Sequence, residues 1–144
     1  MENLETEKFD YVIIGAGCAG LASAQYAARG GLSVLVLDLA GAGGQVLQIA
    51  DLENYPGVFP AVDGATYMMT MQKQAESFGA KIVQAQVLSI DKTGGSFLVK
   101  TKKASYEATC LCIATGAIHR NLEVVVGERI DFLRIGVRHL ATEV

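Results

Sequence analysis

Apolar residues in the first part of the chain predict two strands with a helix between them. Residues 10–14 form a short β-branched run, and residues 33–38 form a second, almost continuously apolar run. Such runs are typical of parallel strands that are covered on both faces. Residues 18–29 are predicted to form a helix that ends at Gly30 and Gly31. Strand, helix and parallel strand together predict one right-handed βαβ unit.

The rest of the chain combines one more helix with strand-like alternation. The helix is predicted from the N-cap Asp63 to just before Gly79. Its apolar residues recur at helical spacing and are predicted to pack in the core: Met68, Met71, Ala75 and Phe78. Residues 81–91, 96–101 and 105–116 predict a small antiparallel meander whose last strand re-enters the main sheet.

Residues 39–62 form a long connection that contains both prolines of the chain. Loops of this length inside compact domains are usually functional or disordered.

Composition limits the class of protein. The 144 residues suffice for one ordinary domain, and 51% hydrophobic with 19% charged residues indicates a compact fold. A net charge of −3 gives no basic surface for nucleic acid. Residues 1–9 are predicted to be a polar tail, and no apolar run approaches the roughly 20 residues that span a bilayer. Three cysteines argue against a secreted disulfide framework, so we expect a cytoplasmic protein.

The turn after the first strand has the spacing of a dinucleotide-binding fingerprint. Gly15 permits a tight turn, Gly17 allows close approach of a pyrophosphate, and Gly20 allows the helix to pack on the sheet. Asp38 ends the second strand, where a ribose hydroxyl would be bound. Glycine triplets also occur in simple turns, and an acid can merely cap a strand end. The complete set favours nucleotide binding but does not decide between FAD and NAD(P).

Other candidate residues give no catalytic or metal site. Cys18 lies at the first helical turn, where a thiol can become reactive, but a small residue beside a phosphate is the favoured interpretation. Cys110 and Cys112 are predicted on one face of a strand as core or ledge residues, and alone they are poor evidence for zinc. No catalytic role is assigned to His119, Arg120 or His139.

Four motifs occur in order along the chain: GAGCAG, GGQ, ENYPG and ATG. With them the chain resembles the thioredoxin reductase family of low-molecular-weight flavoproteins over residues 10–142. The resemblance implies an α/β, Rossmann-like FAD-binding domain in three layers, with a parallel central sheet and a small antiparallel meander. It implies that this domain covers residues 10–120 and is incomplete, and that residues 121–144 are a linker and the truncated start of an NADPH-binding domain.

The resemblance also implies which residues bind FAD. Those around the diphosphate would be Gly15, Gly17, Cys18, Ala19 and Gly20. Asp38 would bind the adenosine ribose, and Val87 would approach the adenine. Gly44 and Gln45 would lie along the phosphates and ribityl chain, and Asn54 would approach the isoalloxazine ring. Thr115 and Gly116 would close over the cofactor, and Leu39 and Ala114 complete the implied set.

The chain departs from the family near its end. The complete enzyme passes electrons from NADPH through FAD to a C-x-x-C pair and then to thioredoxin. After Gly136-Val137, Leu140 and Glu143 stand where these cysteines are expected, and Val126 replaces a proline. A second glycine fingerprint and the family's returning C-terminal segment are absent from the sequence. We therefore expect a missing segment or a homodimer to complete the domain, and a thioredoxin-like partner follows only from the resemblance.

Three hypotheses remain from the sequence. The first is a flavin-binding module of a thioredoxin reductase-like oxidoreductase. The second is a redox-silent nucleotide-binding or interaction domain. The third is a ferredoxin–NADP reductase-type flavoprotein without the cysteine pair, although the ENYPG loop favours the thioredoxin reductase branch.

Overall fold

A computed structural model describes residues 6–117, which form a six-stranded mixed sheet and two α-helices. The strands are β1 (Thr6–Ile14), β2 (Val34–Asp38), β3 (Lys81–Gln84), β4 (Val87–Thr93), β5 (Ser96–Thr101) and β6 (Ser105–Ile113). The helices are α1 (Cys18–Arg29) and α2 (Gly64–Ser77), and a 3₁₀ helix covers Gly44–Gln48. Within residues 6–117, no helix is long and apolar enough to cross a membrane.

The sheet has a parallel part and an antiparallel part. Its strand order is β3-β2-β1-β6-β5-β4, and the first four strands are parallel. β4, β5 and β6 form an antiparallel meander. β6 therefore belongs to both parts, and the predicted re-entry of the last meander strand into the main sheet is confirmed.

The core lies on both faces of the parallel strands. Ile13 and Val36 pack on one face against the helices. Val12, Leu35 and Leu37 point to the other face, where they pack in one cluster with residues of β5 and β6. Side chains alternate between faces along a strand, so a strand covered on both sides must be apolar at nearly every position. This confirms the predicted three-layer α/β architecture.

Two strand boundaries differ from the prediction. β1 begins at Thr6, so residues 6–9 belong to the sheet and not to the polar tail; they pair with the first half of β6. Two of their polar side chains form exposed ion pairs: Lys8 contacts Glu107 at 3.0 Å, and Glu7 contacts Lys81 at 2.7 Å. Residues 81–91 were predicted as one strand of the meander. They contain β3, which pairs with β2, and most of β4, which pairs with β5. The break between the two strands includes Ala85, whose N–H donates to the carbonyl of Asp38 at 2.8 Å.

The predicted helices are both present. α1 has the predicted bounds, and α2 follows Asp63, whose side chain accepts a hydrogen bond from the Thr66 N–H at 2.8 Å. Met68 and Ala75 are buried as predicted. The predicted core position of Phe78 is wrong, because this residue caps the end of α2 and is 41% exposed.

Leu37→Ala is expected to lower the free energy of unfolding by about 2–5 kcal/mol, because the fully buried side chain would leave a cavity between the sheet and the meander. Urea denaturation measures this change. Leu88→Ala is the matched control, since Leu88 is 55% exposed, and its effect should stay within about 0.5 kcal/mol. Equal losses in the two variants would contradict the described burial.

Candidate functional site

The glycine turn between β1 and α1 is held, at its first and third glycines, by contacts that leave no room for a side chain. The Gly15 N–H donates to the carbonyl of Leu37 at 2.8 Å, and Gly15 has φ +109°. A Cβ on Gly15 would overlap the backbone of Ala114, and one on Gly20 would overlap the Gly15 carbonyl. The first and third glycines are therefore required by the packing of the protein itself.

Gly17 differs from these two glycines. Its φ is −77°, which any residue can adopt, and apart from its neighbours along the chain no atom of residues 6–117 lies within 4 Å of a Cβ built there. Protein packing therefore does not explain the glycine. An open space beside the backbone is the cradle that a closely approaching diphosphate needs, so the residues present fit a dinucleotide.

The N-terminus of α1 is open to an anion. Gly17 is its N-cap, and no side chain of residues 6–117 caps this end or places an acid in its first turn. The first N–H groups of a helix lack intrahelical partners, and the helix dipole favours negative charge there. α2 is different, because Asp63 satisfies its first turn. Of the two α-helices within residues 6–117, α1 is therefore the one with an uncapped start, and this start lies beside the open glycine cradle.

Asp38 at the end of β2 is bound to backbone amides on two loops. Its Oδ2 accepts from the Ala16 N–H at 2.8 Å. Its Oδ1 accepts from the N–H groups of Ala40 at 2.8 Å and Gly41 at 3.1 Å. The carboxylate thus joins the glycine turn to the segment that follows β2.

The segment after β2 forms a second backbone wall beside the glycine turn. The Gly43 N–H donates to the Ala16 carbonyl at 2.9 Å, and a Cβ on Gly44 would lie 3.4 Å from the Cα of Gly17. The Gln45 Nε2 donates to the Ala117 carbonyl at 2.6 Å. The GGQ motif therefore bridges the first glycine turn and the turn after β6.

The turn after β6 lies at the same end of the sheet. The Ala114 N–H donates to the carbonyl of Ile14 at 2.8 Å, which continues the pairing of β6 with β1. Thr115 and Gly116 are exposed, and Gly116 has φ +70°. Three predicted motifs, GAGCAG, GGQ and ATG, are thus brought together by the structure.

Val87, the residue predicted to approach the adenine, follows a segment that is hydrogen-bonded to the end of β2. The carbonyl of Leu39 accepts a hydrogen bond from Gln84 Nε2 at 3.1 Å, and the Ala85 N–H contacts the Asp38 carbonyl. Val87 begins β4 two residues later and is half-buried against the apolar cluster on the meander side. The connection from β3 to β4 therefore places Val87 near the end of β2.

Among residues 6–117, Asn54 is not hydrogen-bonded to this network. It is exposed in a loop that is closed by a bridge between Leu52 and Val62 and by the edge-on contact of the Tyr55 and Tyr67 rings, whose centroids are 5.8 Å apart. No hydrogen bond among residues 6–117 joins Asn54 to the glycine turn. Its predicted approach to a flavin ring, like every ligand contact of the predicted residues, stays a prediction.

The three cysteines have different environments. The Cys18 Sγ contacts the Met68 Sδ at 3.4 Å, and burial raises the pKa of the Cys18 thiol. This contact directs the thiol towards α2, so the contribution of Cys18 to an anion site would be its backbone N–H. Cys112 is half-buried, as predicted for a core residue, whereas Cys110 is exposed and the core interpretation is wrong for it.

Sequence reasoning missed three hydrogen bonds in this site. The bond that the Ala40 N–H donates to Asp38 is an Asx turn, and the Asp-x-x-Gly spacing could have indicated it. The bond that the Ala16 N–H donates to Asp38 and the bond that Gln45 donates to the Ala117 carbonyl have no sequence signal, because each joins residues that are distant along the chain.

A family model and two thioredoxin reductases each match most of this chain. Residues 9–141 match the family described as pyridine nucleotide-disulphide oxidoreductase. A thioredoxin reductase of Treponema pallidum is 43% identical over 139 residues, which are 96% of this chain and 44% of that protein. One from Peptoclostridium acidaminophilum is 36% identical and is matched over 99% of this chain and 43% of its own length. This chain thus spans less than half the length of these relatives.

Solved structures agree with the sequence comparison. A thioredoxin reductase from Streptococcus pyogenes has a TM-score of 0.76 and 39% identity, with 83% of this chain and 39% of that chain covered. One from T. acidophilum has a TM-score of 0.76 and 41% identity, with 82% and 38% covered. The resemblance predicted from the motifs is confirmed.

Cys18 is expected to be alkylated more slowly than Cys110 at neutral pH. The thiolate is the reactive form of cysteine, and burial disfavours it at Cys18 by raising the pKa of the thiol. The labelling of Cys18 should therefore accelerate at a higher pH than the labelling of an exposed thiol. Mass spectrometry of iodoacetamide-treated protein over a pH series measures both sites in one sample. Labelling of Cys18 as fast as Cys110 at neutral pH would show that the helix N-terminus outweighs burial.

Proposed function

Because the chain belongs to the pyridine nucleotide-disulphide oxidoreductase family, we propose that it is the FAD-binding module of a thioredoxin reductase-like oxidoreductase. The observation that carries the proposal is the open space at Gly17 beside the uncapped start of α1. It lies at the carboxyl ends of parallel strands, where α/β folds bind their ligands. The net charge of −3 repels a diphosphate, so local N–H groups and the helix dipole must hold it.

Most of the predicted residues have a specific role in this proposal. The N–H groups of Cys18, Ala19 and Gly20 would hold the diphosphate, and Asp38 would accept a hydrogen bond from the adenosine ribose. Gly44, Gln45 and Asn54 would line the ribityl chain and the flavin ring. Val87 would contact the adenine, and Ala114, Thr115 and Gly116 would cover the cofactor. Bound FAD would supply the hydride and electron transfer chemistry, while the chain supplies position and electrostatics.

The activity of a whole reductase is a wider proposal. Residues 10–120 would be the flavin-binding part, and residues 121–144 a linker and the start of an NADPH-binding domain. All of this second segment lies outside the described residues. Transfer of electrons from NADPH to a disulfide and a thioredoxin-like partner would require further residues, because Leu140 and Glu143, also outside the described range, carry no thiol. A cytoplasmic location, where thiols stay reduced, suits its three cysteines.

The open side of β6 supports the proposal that another segment completes the domain. β5 pairs only with Ser105–Ala108, whereas β1 pairs along both halves of β6. Residues 109–113 therefore have no strand on their second side among residues 6–117. Cys110 is exposed, and Ile113 is 67% exposed. An additional strand, from a continuing chain or a second copy, would satisfy this edge.

Gly17→Val is expected to weaken FAD binding on the order of a hundredfold. The added side chain would fill the space for the diphosphate and remove one or two charge-assisted hydrogen bonds of about 1.5–3 kcal/mol each. It should leave the fold intact, because no described atom lies near that Cβ. Titration by quenching of flavin fluorescence measures affinity, and thermal unfolding without FAD measures stability.

Gly95→Val is the matched control for this experiment. Gly95 also has open space around its Cβ and lies in the turn between β4 and β5, in a part of the sheet that β6 separates from β1. Its FAD affinity should equal that of the parent protein. If Gly17→Val binds FAD as tightly as the parent, the assignment of the diphosphate to this turn is wrong.

The FAD-loaded chain alone is expected to show no steady reduction of a disulfide dye by NADPH, since the positions of the redox cysteines hold Leu140 and Glu143. Absorbance of the released thiolate measures turnover, with a full-length thioredoxin reductase as the positive control. FAD binding without turnover supports the module. Failure to bind FAD favours the alternative of a redox-silent interaction domain, and steady turnover contradicts both.

A further inference from the structure

The Asp38 carboxylate is mostly occupied by the protein's own backbone. Three N–H groups donate to it: Ala16 to Oδ2, and Ala40 and Gly41 to Oδ1, at 2.8, 2.8 and 3.1 Å. A carboxylate has about four lone-pair sites, so about one site remains, on Oδ2. Asp38 therefore has less capacity for a ligand than a free carboxylate has.

The bond to Ala16 holds the residue that precedes the anion cradle. Ala16 is fully buried and lies between Gly15 and Gly17. Its carbonyl accepts from the Gly43 N–H at 2.9 Å, so both of its backbone polar groups are paired across the turn. A buried N–H that loses its acceptor is costly, and the turn would have to rearrange to satisfy it.

We infer that Asp38 is a positioning residue, which preforms the diphosphate turn through the Ala16 N–H and keeps about one acceptor site for a ribose hydroxyl. A residue that only binds ribose would affect only ligands that carry those hydroxyls. A residue that shapes the turn affects the protein before any ligand arrives. The inference rests on the proposed function only for the identity of the ligand.

Asp38→Asn is the variant that separates these roles. It preserves size but replaces one acceptor oxygen by an NH₂ donor, so it cannot accept from Ala16 and from the Ala40 loop together. Without FAD, hydrogen exchange of the Ala16 amide should accelerate by at least about tenfold, which corresponds to the loss of one hydrogen bond to a charged group. Asp91→Asn is the control, because Asp91 is an exposed partner of Lys100. It should leave Ala16 exchange unchanged.

A ligand comparison gives a second readout. FAD and an FAD analogue that lacks both adenosine ribose hydroxyls are titrated against the parent protein and Asp38→Asn. A positioning role predicts that the variant also weakens binding of the analogue, by about tenfold or more. Unchanged Ala16 exchange together with unchanged affinity for the analogue would leave Asp38 as a ribose ligand alone and would overturn the inference.

Failure of the proposed function and failure of the inference about Asp38 give different results. If the parent protein binds neither ligand, the proposed function fails, while the exchange measurement without FAD still tests the role of Asp38. If Asp38→Asn does not fold, the parent protein is tested by NMR for scalar coupling between the Ala16 amide nitrogen and the Asp38 side-chain carboxylate carbon. Observed coupling supports the bond, and its absence overturns the inference.

Discussion

The site depends on close contact between backbone segments at the end of β1. Gly15 touches the backbone of Ala114, and Gly20 touches Gly15, so neither position can carry a Cβ. These contacts bring the first turn of α1 directly against the carboxyl ends of β1 and β6. A helix whose start is fixed this firmly presents its N–H groups in one direction, and preorganised dipoles of this kind bind anions without a cost for reorientation.

The remaining parts of the site are attached to this contact by hydrogen bonds between loops. Asp38 connects the end of β2 to Ala16, Gly43 binds the other side of Ala16, and Gln45 reaches the turn after β6. Loops from three adjacent parallel strands are thus joined at one end of the sheet. In such a fold the sheet supplies the rigid positions and the loops supply the polar groups.

Local patterns were sufficient for much of the fold and for part of the site. The bounds of α1 follow from the glycines on either side, and both buried strands follow from runs that must be apolar on two faces. Patterns failed where tertiary contacts decide. Residues 6–9 look polar but form a strand because β6 extends alongside them, and the break at Ala85 depends on its bond to Asp38. Cys110 has an apolar setting in sequence, yet no described layer covers it.

The pairing of β1 with β6 has a consequence for the order of assembly. Thr6 of β1 lies opposite Ser105 of β6, so one edge of the first described strand stays unpaired until the last described strand is available. Such long loop closures are slow, and during synthesis the ribosome would release β6 only after the helices and the meander hairpin had emerged. The contact of the ATG turn with the glycine turn therefore forms late, when β6, the last strand within residues 6–117, docks beside β1.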